Sequence, residues 1–161
     1  MTLYVLGSFE ALVNEKHITD QFRTDKERAL LTYLIWEAHR PHRRETLGEL
    51  FWPDREEGVA RTNLRQAILG MRRAIGDSSA PHSFFNITNE FVQLGPQRTP
   101  WLDATAFANH IKFTQSHPHL AVEECPTCVH ELETAVSLYR GIFGHGVCGK
   151  SCFSGMGGCQ T

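Results

Sequence analysis

An α+β fold is predicted for this chain of 161 residues, and three observations predict it. Short apolar runs rich in β-branched and aromatic residues lie near the N-terminus and again between residues 84 and 94. Between them stand three segments with apolar residues at helical spacing, the second closed by Phe51-Trp52-Pro53 and the third carrying Arg61, Arg65, Arg72 and Arg73 around an apolar stripe. After Gly95-Pro96 the spacing is helical again. These shifts divide the chain into residues 1–96, a helical part over 97–141 and a Gly/Cys-rich remainder over 142–161.

The elements follow in order. Leu3-Tyr4-Val5-Leu6 reads as a strand ended by Gly7, and Phe9 to Val13 and His17 to Thr19 as two more, joined by a turn at Asn14-Glu15-Lys16. The first helix takes Thr24 or Asp25 as its N-cap and buries Ala29, Leu30, Tyr33, Leu34 and Trp36, with Pro41 at or past its end. The second spans about Arg44 to Trp52, where Leu47, Leu50 and Phe51 share a face and Pro53 forbids continuation. A charged loop leads to the third helix, which starts between Glu57 and Ala60. There Ala60, Leu64, Ala67, Ile68, Met71 and Ile75 share one side, and Thr62, Gln66, Leu69 and Arg73 lie opposite. Asn63 and Gly70 fall on one border of the outward face; Arg61, Arg65 and Arg72 fall on the other.

Residues 76–81 are a loop by composition. Phe84 to Thr88 and Phe91 to Leu94 alternate around Asn89-Glu90, a hairpin in which Asn89 suits a left-handed turn position. Strands, three helices and a closing hairpin are the order of a winged helix-turn-helix, with the hairpin as the wing. Further on, Asp103 to Phe113 reads as a helix capped by Asp103, with Phe107 and Ile111 as its apolar positions. Leu132, Val136 and Tyr139 mark another. The segment from Gly141 holds seven glycines and three cysteines without any period, and is predicted to be disordered.

Composition narrows the classes. Apolar content of 41% with 21% charged residues fits a globular chain rather than a disordered one. No apolar run reaches membrane-spanning length and the first residues lack the basic flank of a signal peptide, so a cytoplasmic protein without membrane contact is expected. Net charge is −2, which argues against a nucleic-acid partner until its distribution is read. From Arg40 to Gly76 eight arginines face five acids, whereas Glu123, Glu124, Glu131 and Glu133 gather further on. One basic face is all that DNA requires.

Several blocks, in order, resemble one family. Leu3-Tyr-Val-Leu-Gly-Ser-Phe-Glu, Lys26-Glu-Arg-Ala-Leu-Leu-Thr-Tyr-Leu, Arg44-Glu-Thr-Leu-Gly-Glu-Leu-Phe-Trp-Pro-Asp, Ala60-Arg-Thr-Asn-Leu-Arg-Gln-Ala-Ile, Trp101-Leu-Asp-Ala-Thr-Ala-Phe and Leu132-Glu-Thr-Ala-Val-Ser-Leu-Tyr-Arg-Gly are similar to the N-terminal half of SARP-type regulators. These join an OmpR/PhoB-like winged helix to a bacterial transcriptional activation domain of tetratricopeptide-like helices. The resemblance implies sequence-specific binding to double-stranded DNA and activation through RNA polymerase, by one copy, a homodimer or tandem copies. It also implies a longer helical domain; from Ile142 this chain departs from the family pattern, so a C-terminally truncated activation domain is expected. A protein-interaction module or a non-functional fragment of such a regulator are the competing readings.

For base reading the third helix would enter the major groove, where Arg pairs with guanine and Asn or Gln with adenine for about 1–3 kcal/mol of discrimination each. Thr62, Asn63, Gln66 and Arg73 are placed for bases, and Arg61 and Arg65 for bases or phosphates. Lys26, Arg43 and Arg44, near helix starts, would hold the DNA backbone. A second constellation joins His117 and His119 to Cys125 and Cys128. Its donors and spacing fit structural zinc, the only cofactor suggested, although a redox pair or a plain loop with reduced thiols fits the same residues. No phosphate loop, nucleophile elbow or His-Glu-x-x-His pair occurs, so no enzymatic activity is expected.

Overall fold

Among the described residues two small sheets and five α-helices form an α+β architecture, in which the first sheet joins strands near the N-terminus to one at Trp101–Leu102. The structure is a computed structural model and describes residues 1–77, 83–96, 98–118 and 121–142. β1 (Thr2–Tyr4) pairs antiparallel with β2 (Glu10–Val13), and β2 with β3 (Lys16–His17). Asn14 and Glu15 form the expected turn at φ of 50° and 64°, the left-handed geometry that matches a two-residue turn to strand twist.

β1 stops at Tyr4, two residues short of the expected end. The reason lies almost a hundred residues away: the Asp103 carboxylate accepts the Val5 N–H at 2.9 Å and the Leu6 N–H at 3.0 Å. Asp103 is therefore not the cap of its helix. It is the first helical residue, completely buried, and holds the chain that leaves β1.

α1 (Asp25–Trp36) is capped by Thr24, whose Oγ1 accepts the Glu27 N–H at 3.2 Å. The Glu27 carboxylate accepts the Arg23 N–H in return (2.8 Å), so one orphan donor of the helix and the N–H just before its cap are satisfied. Leu31 and Ile35 are buried along with Ala29, Leu30 and Leu34, whereas Tyr33 and Trp36 are only partly covered. A helix surrounded by the rest of the core shows no single stripe, which is why spacing marked only part of its buried surface.

β4 (His42–Arg43), absent from the sequence reading, runs directly into α2 (Arg44–Phe51). α3 spans Glu57–Ala74, and β5 (Phe85–Ile87) and β6 (Phe91–Leu94) form the expected hairpin. The three strands make the second sheet, ordered β4-β6-β5 and antiparallel throughout. Asn89 is not left-handed, since among the described residues Asn14 and Glu15 are the non-glycine residues at positive φ. The Thr88 hydroxyl closes the hairpin instead, accepting the N–H groups of Glu90 (3.2 Å) and Phe91 (2.9 Å). Of the loop expected over 76–81, Gly76 and Asp77 are described. Buried Asp77 ends α3 by accepting bonds from Arg72 Nε (3.2 Å), the Ser83 hydroxyl (2.7 Å) and the Phe84 N–H.

Leu30, Leu31 and Leu34 of α1 meet Leu47 and Phe51 of α2, Leu64, Ile68 and Met71 of α3, and Phe85, Val92 and Leu94 of the hairpin in one core. All six residues assigned to the inner side of α3 are buried. Gly70 faces α1 so closely that a Cβ there would lie 2.2 Å from Glu27 Oε1.

After Pro96 the chain returns to the first sheet. β7 (Trp101–Leu102) lies parallel to β1, and α4 (Asp103–Ser116) and α5 (Pro126–Leu138) pack on each other. Arg140 closes the circuit. Its N–H donates to the Leu6 carbonyl (2.8 Å), and its guanidinium stacks on Tyr4 (4.3 Å) and reaches Glu10 (3.0 Å). Gly7, at φ +132°, lets the Arg140 backbone approach where a Cβ would be 3.1 Å away. Val136 and Tyr139, which mark this helix in the sequence, are 70% and 55% exposed; Cys128 and Ala135 are the buried residues of α5. The tail predicted to be disordered lies, beyond Ile142, outside the described residues. No helix among those described is long and apolar enough to cross a membrane.

His42 gives the fold a pH dependence. It is buried against Tyr33 (ring centroids 5.1 Å apart), and its Nε2–H donates to the Glu37 carbonyl at 3.0 Å. Burial pulls its pKa below the ordinary 6.5, opposed by that hydrogen bond. The unfolded chain therefore takes up the proton first as pH falls. The stabilisation from neutral His42 is full above about pH 6.5 and is lost below it, until the folded ring also protonates. Urea denaturation between about pH 7.5 and 5 is expected to show a shallower decline for His42→Gln than for the wild type; parallel slopes would contradict the assignment.

Candidate functional site

β4 is what sets the basic residues beside the hairpin. Arg43 lies opposite Phe91 in the ladder, and its guanidinium stands 5.7 Å from the Phe91 ring. The Arg44 N–H donates to the Glu90 carbonyl (2.8 Å), and the Arg44 guanidinium to the Thr88 carbonyl (3.2 Å). Across from it, the border of α3 contributes Arg61, Arg65 and Arg72. Together with Thr62 and Asn89 these four arginines line an open groove between α3 and the β5–β6 hairpin, and no carboxylate among the described residues lines it.

The charges are felt within the groove. Burial first, then the like charges of Arg61 and Arg65, hold the Arg44 guanidinium below its ordinary pKa. A neighbouring hollow on the α2 side shares Arg44, Arg61 and Asn89 with the groove but has a different character, since Arg43 and Arg55 join them there with Glu45, Glu49, Glu57 and Glu90. A lining of arginines without carboxylates is thus the mark of the α3–hairpin groove, although Asp77, outside the lining, pairs with Arg72. An anion that bridges Arg44, Arg61 and Arg65 would relieve their repulsion and find hydrogen-bond donors already assembled.

The other sequence candidates are distributed as follows. Thr62 lines the groove, but its hydroxyl donates to the Gly58 carbonyl (2.9 Å), which leaves it only as an acceptor. Gln66 and Arg73 are exposed on the outward face of α3 without lining the groove, and Asn63 is half-buried on the border it shares with Gly70. Lys26 lies elsewhere, half-buried with its Nζ 5.9 Å from the Trp52 ring and 6.0 Å from that of Phe51. Arg72 and Asn89 are groove residues that the sequence reading did not select. Arg72 is anchored by Asp77 at the end of α3, and its place on the border with Arg61 and Arg65 was the available signal. For Asn89 there was none, because only the hairpin's approach to α3 brings it there. Leu69, 45% exposed, adds an apolar side chain to the same groove.

A second cluster lies between α4 and α5. His117 follows the last turn of α4, where its N–H donates to the Phe113 carbonyl (2.9 Å). Cys125 is the N-cap residue of α5, and buried Cys128 sits in its first turn. His117 Nδ1 lies 3.6 Å from Cys125 Sγ and 3.4 Å from Cys128 Sγ, and neither thiol is in a disulfide. The Cys128 backbone N–H pulls the Cys125 thiol below its ordinary pKa against the opposing effect of burial; burial pushes the Cys128 thiol up. His119, the fourth sequence candidate, lies outside the described residues.

No protein-family model, curated protein or solved structure matches the chain.

Proposed function

We propose that this chain is a sequence-specific DNA-binding regulator of transcription, with α2 and α3 as a helix-turn-helix and the β5–β6 hairpin as the wing of a winged helix. The observation that carries the reading is the groove lined by Arg44, Arg61, Arg65 and Arg72 without a carboxylate, on a chain whose net charge is −2. Segregated charge of this kind suits a polyanion, and its seat between a helix and a hairpin suits a duplex that takes the helix into its major groove. In this reading Arg44, fixed to the hairpin by backbone and side chain, and Arg61 and Arg65 neutralise phosphates. Gln66 and Arg73 on the outward face address base edges, and Leu69 offers a contact for a thymine methyl group. Activation by contact with RNA polymerase belongs to the same proposal and rests on the family resemblance.

A binding-site selection from random duplexes, followed by anisotropy titrations of the selected and scrambled sequences, tests the reading. Gln66→Ala is expected to weaken the selected duplex by about fivefold or more, the low end of one lost base contact, and leave scrambled DNA unaffected. Arg44→Ala is expected to weaken both and to reduce the salt slope by about 0.9. Failure to enrich any sequence, or equal effects of the two variants on both duplexes, would overturn the proposal.

A further inference from the structure

We infer that His117, Cys125 and Cys128 form a zinc(II) site that fastens the end of α4 to the start of α5. The three donor atoms come from two helix ends and lie within 4.8 Å of one another. Tetrahedral zinc, with Zn–S of about 2.3 Å and Zn–N of about 2.0–2.1 Å, separates a sulfur and a nitrogen ligand by about 3.5 Å. The observed separations of 3.6 and 3.4 Å fall on either side of that value.

The two thiols also share a hydrogen bond, which does not by itself bring both to the imidazole nitrogen. An imidazole Nδ1 has one lone pair and accepts one S–H, yet both sulfurs approach the same nitrogen to within 0.2 Å of each other's distance. A single ion at the centre of the triangle accounts for both approaches. A disulfide would join the two sulfurs and leave the imidazole without a role. Two thiols and an imidazole are soft and borderline donors, a set that selects zinc over magnesium or calcium. The described residues supply three of the donors.

The surroundings indicate what the ion contributes. The buried residues of α4 and α5 are mostly small, with Ala104 and Thr114 on one helix and Cys128 and Ala135 on the other, while Val136 and Phe113 are exposed. A metal cross-link between the end of α4 and the start of α5 would add to this packing. The His117 ring stacks on Phe113 at 5.4 Å between centroids, which restricts its rotation before any ion arrives.

Titration of the reduced, chelator-treated full chain with cobalt(II) and then zinc(II) tests the site. Cys148, Cys152 and Cys159 could also bind metal, so their triple serine variant is titrated in parallel. The expected result is one equivalent of cobalt with tetrahedral visible bands and thiolate charge-transfer absorption, displaced by zinc, and unchanged in the triple variant. His117→Ala is expected to weaken zinc binding by about a hundredfold or more, and Cys125→Ser to remove about half of the charge-transfer intensity. Cys125 is the thiol chosen for substitution because it is only half-buried. Retention by the triple variant with loss in the other two supports the site; any other pattern, or the absence of a cobalt spectrum, overturns it.

Discussion

Replacing Arg61 and Arg65 together by alanine is expected to lower affinity for any DNA duplex by about two orders of magnitude at moderate salt. Each guanidinium–phosphate contact is a charge-assisted hydrogen bond of about 1.5–3 kcal/mol, and the low end for two such contacts already exceeds a hundredfold. The slope of log K against log salt should fall by about 1.8, because two fewer counterions are displaced. Loss of fold cannot mimic this outcome. Both side chains are exposed, and both hold the Arg44 guanidinium below its ordinary pKa, so their removal relieves repulsion in the free protein. Thermal unfolding of the double variant should therefore match or exceed the wild type while binding collapses. Wild-type affinity in anisotropy titrations would show that the groove does not meet DNA.

Asp103→Ala is expected to cost about 2–6 kcal/mol of stability. The substitution leaves the Val5 and Leu6 N–H groups buried without their acceptor, at about 1–3 kcal/mol each. That is a large part of the 5–15 kcal/mol typical of a folded domain. Asp103→Asn keeps one carbonyl acceptor and should lie between alanine and wild type. Urea denaturation of the three proteins checks the ranking, and an alanine variant within about 0.5 kcal/mol of wild type would mean that this carboxylate does not hold the chain leaving β1. The same contact explains why residues on the two sides of Gly95-Pro96 share a sheet, since β7 and Asp103 are adjacent in sequence and both grip the first strand.

Much of this architecture has a local code. Apolar residues at helical spacing mark α2 and α3, Thr24 followed by Glu27 marks the start of α1, and Asn14 marks a tight turn. In each case the signal and the structure it specifies lie within a few residues. The basic border of α3 is legible for the same reason, because helix geometry alone puts Arg61, Arg65 and Arg72 on one line. Other features have no such code. A two-residue strand has no period, and β4 and β7 exist only because β6 and β1 offer them a ladder. Arg44 could be assigned to a helix start but not to the hairpin that holds it, and Lys26 could be counted as basic but not located over Phe51 and Trp52.

The sequence by itself determined the order of the helices and of the β5–β6 hairpin, the inner face of α3, a cap at Thr24 or Asp25, and the donor types at His117, Cys125 and Cys128. Tertiary structure alone decided that Asp103 holds the chain leaving β1 instead of capping α4, that Asn63 is half-buried, and that Arg44 lines the groove with Arg61 and Arg65. The physical reason is range. Dihedral preference and apolar spacing act over a turn of helix, whereas burial, charge and hydrogen-bond satisfaction are settled only where distant segments meet.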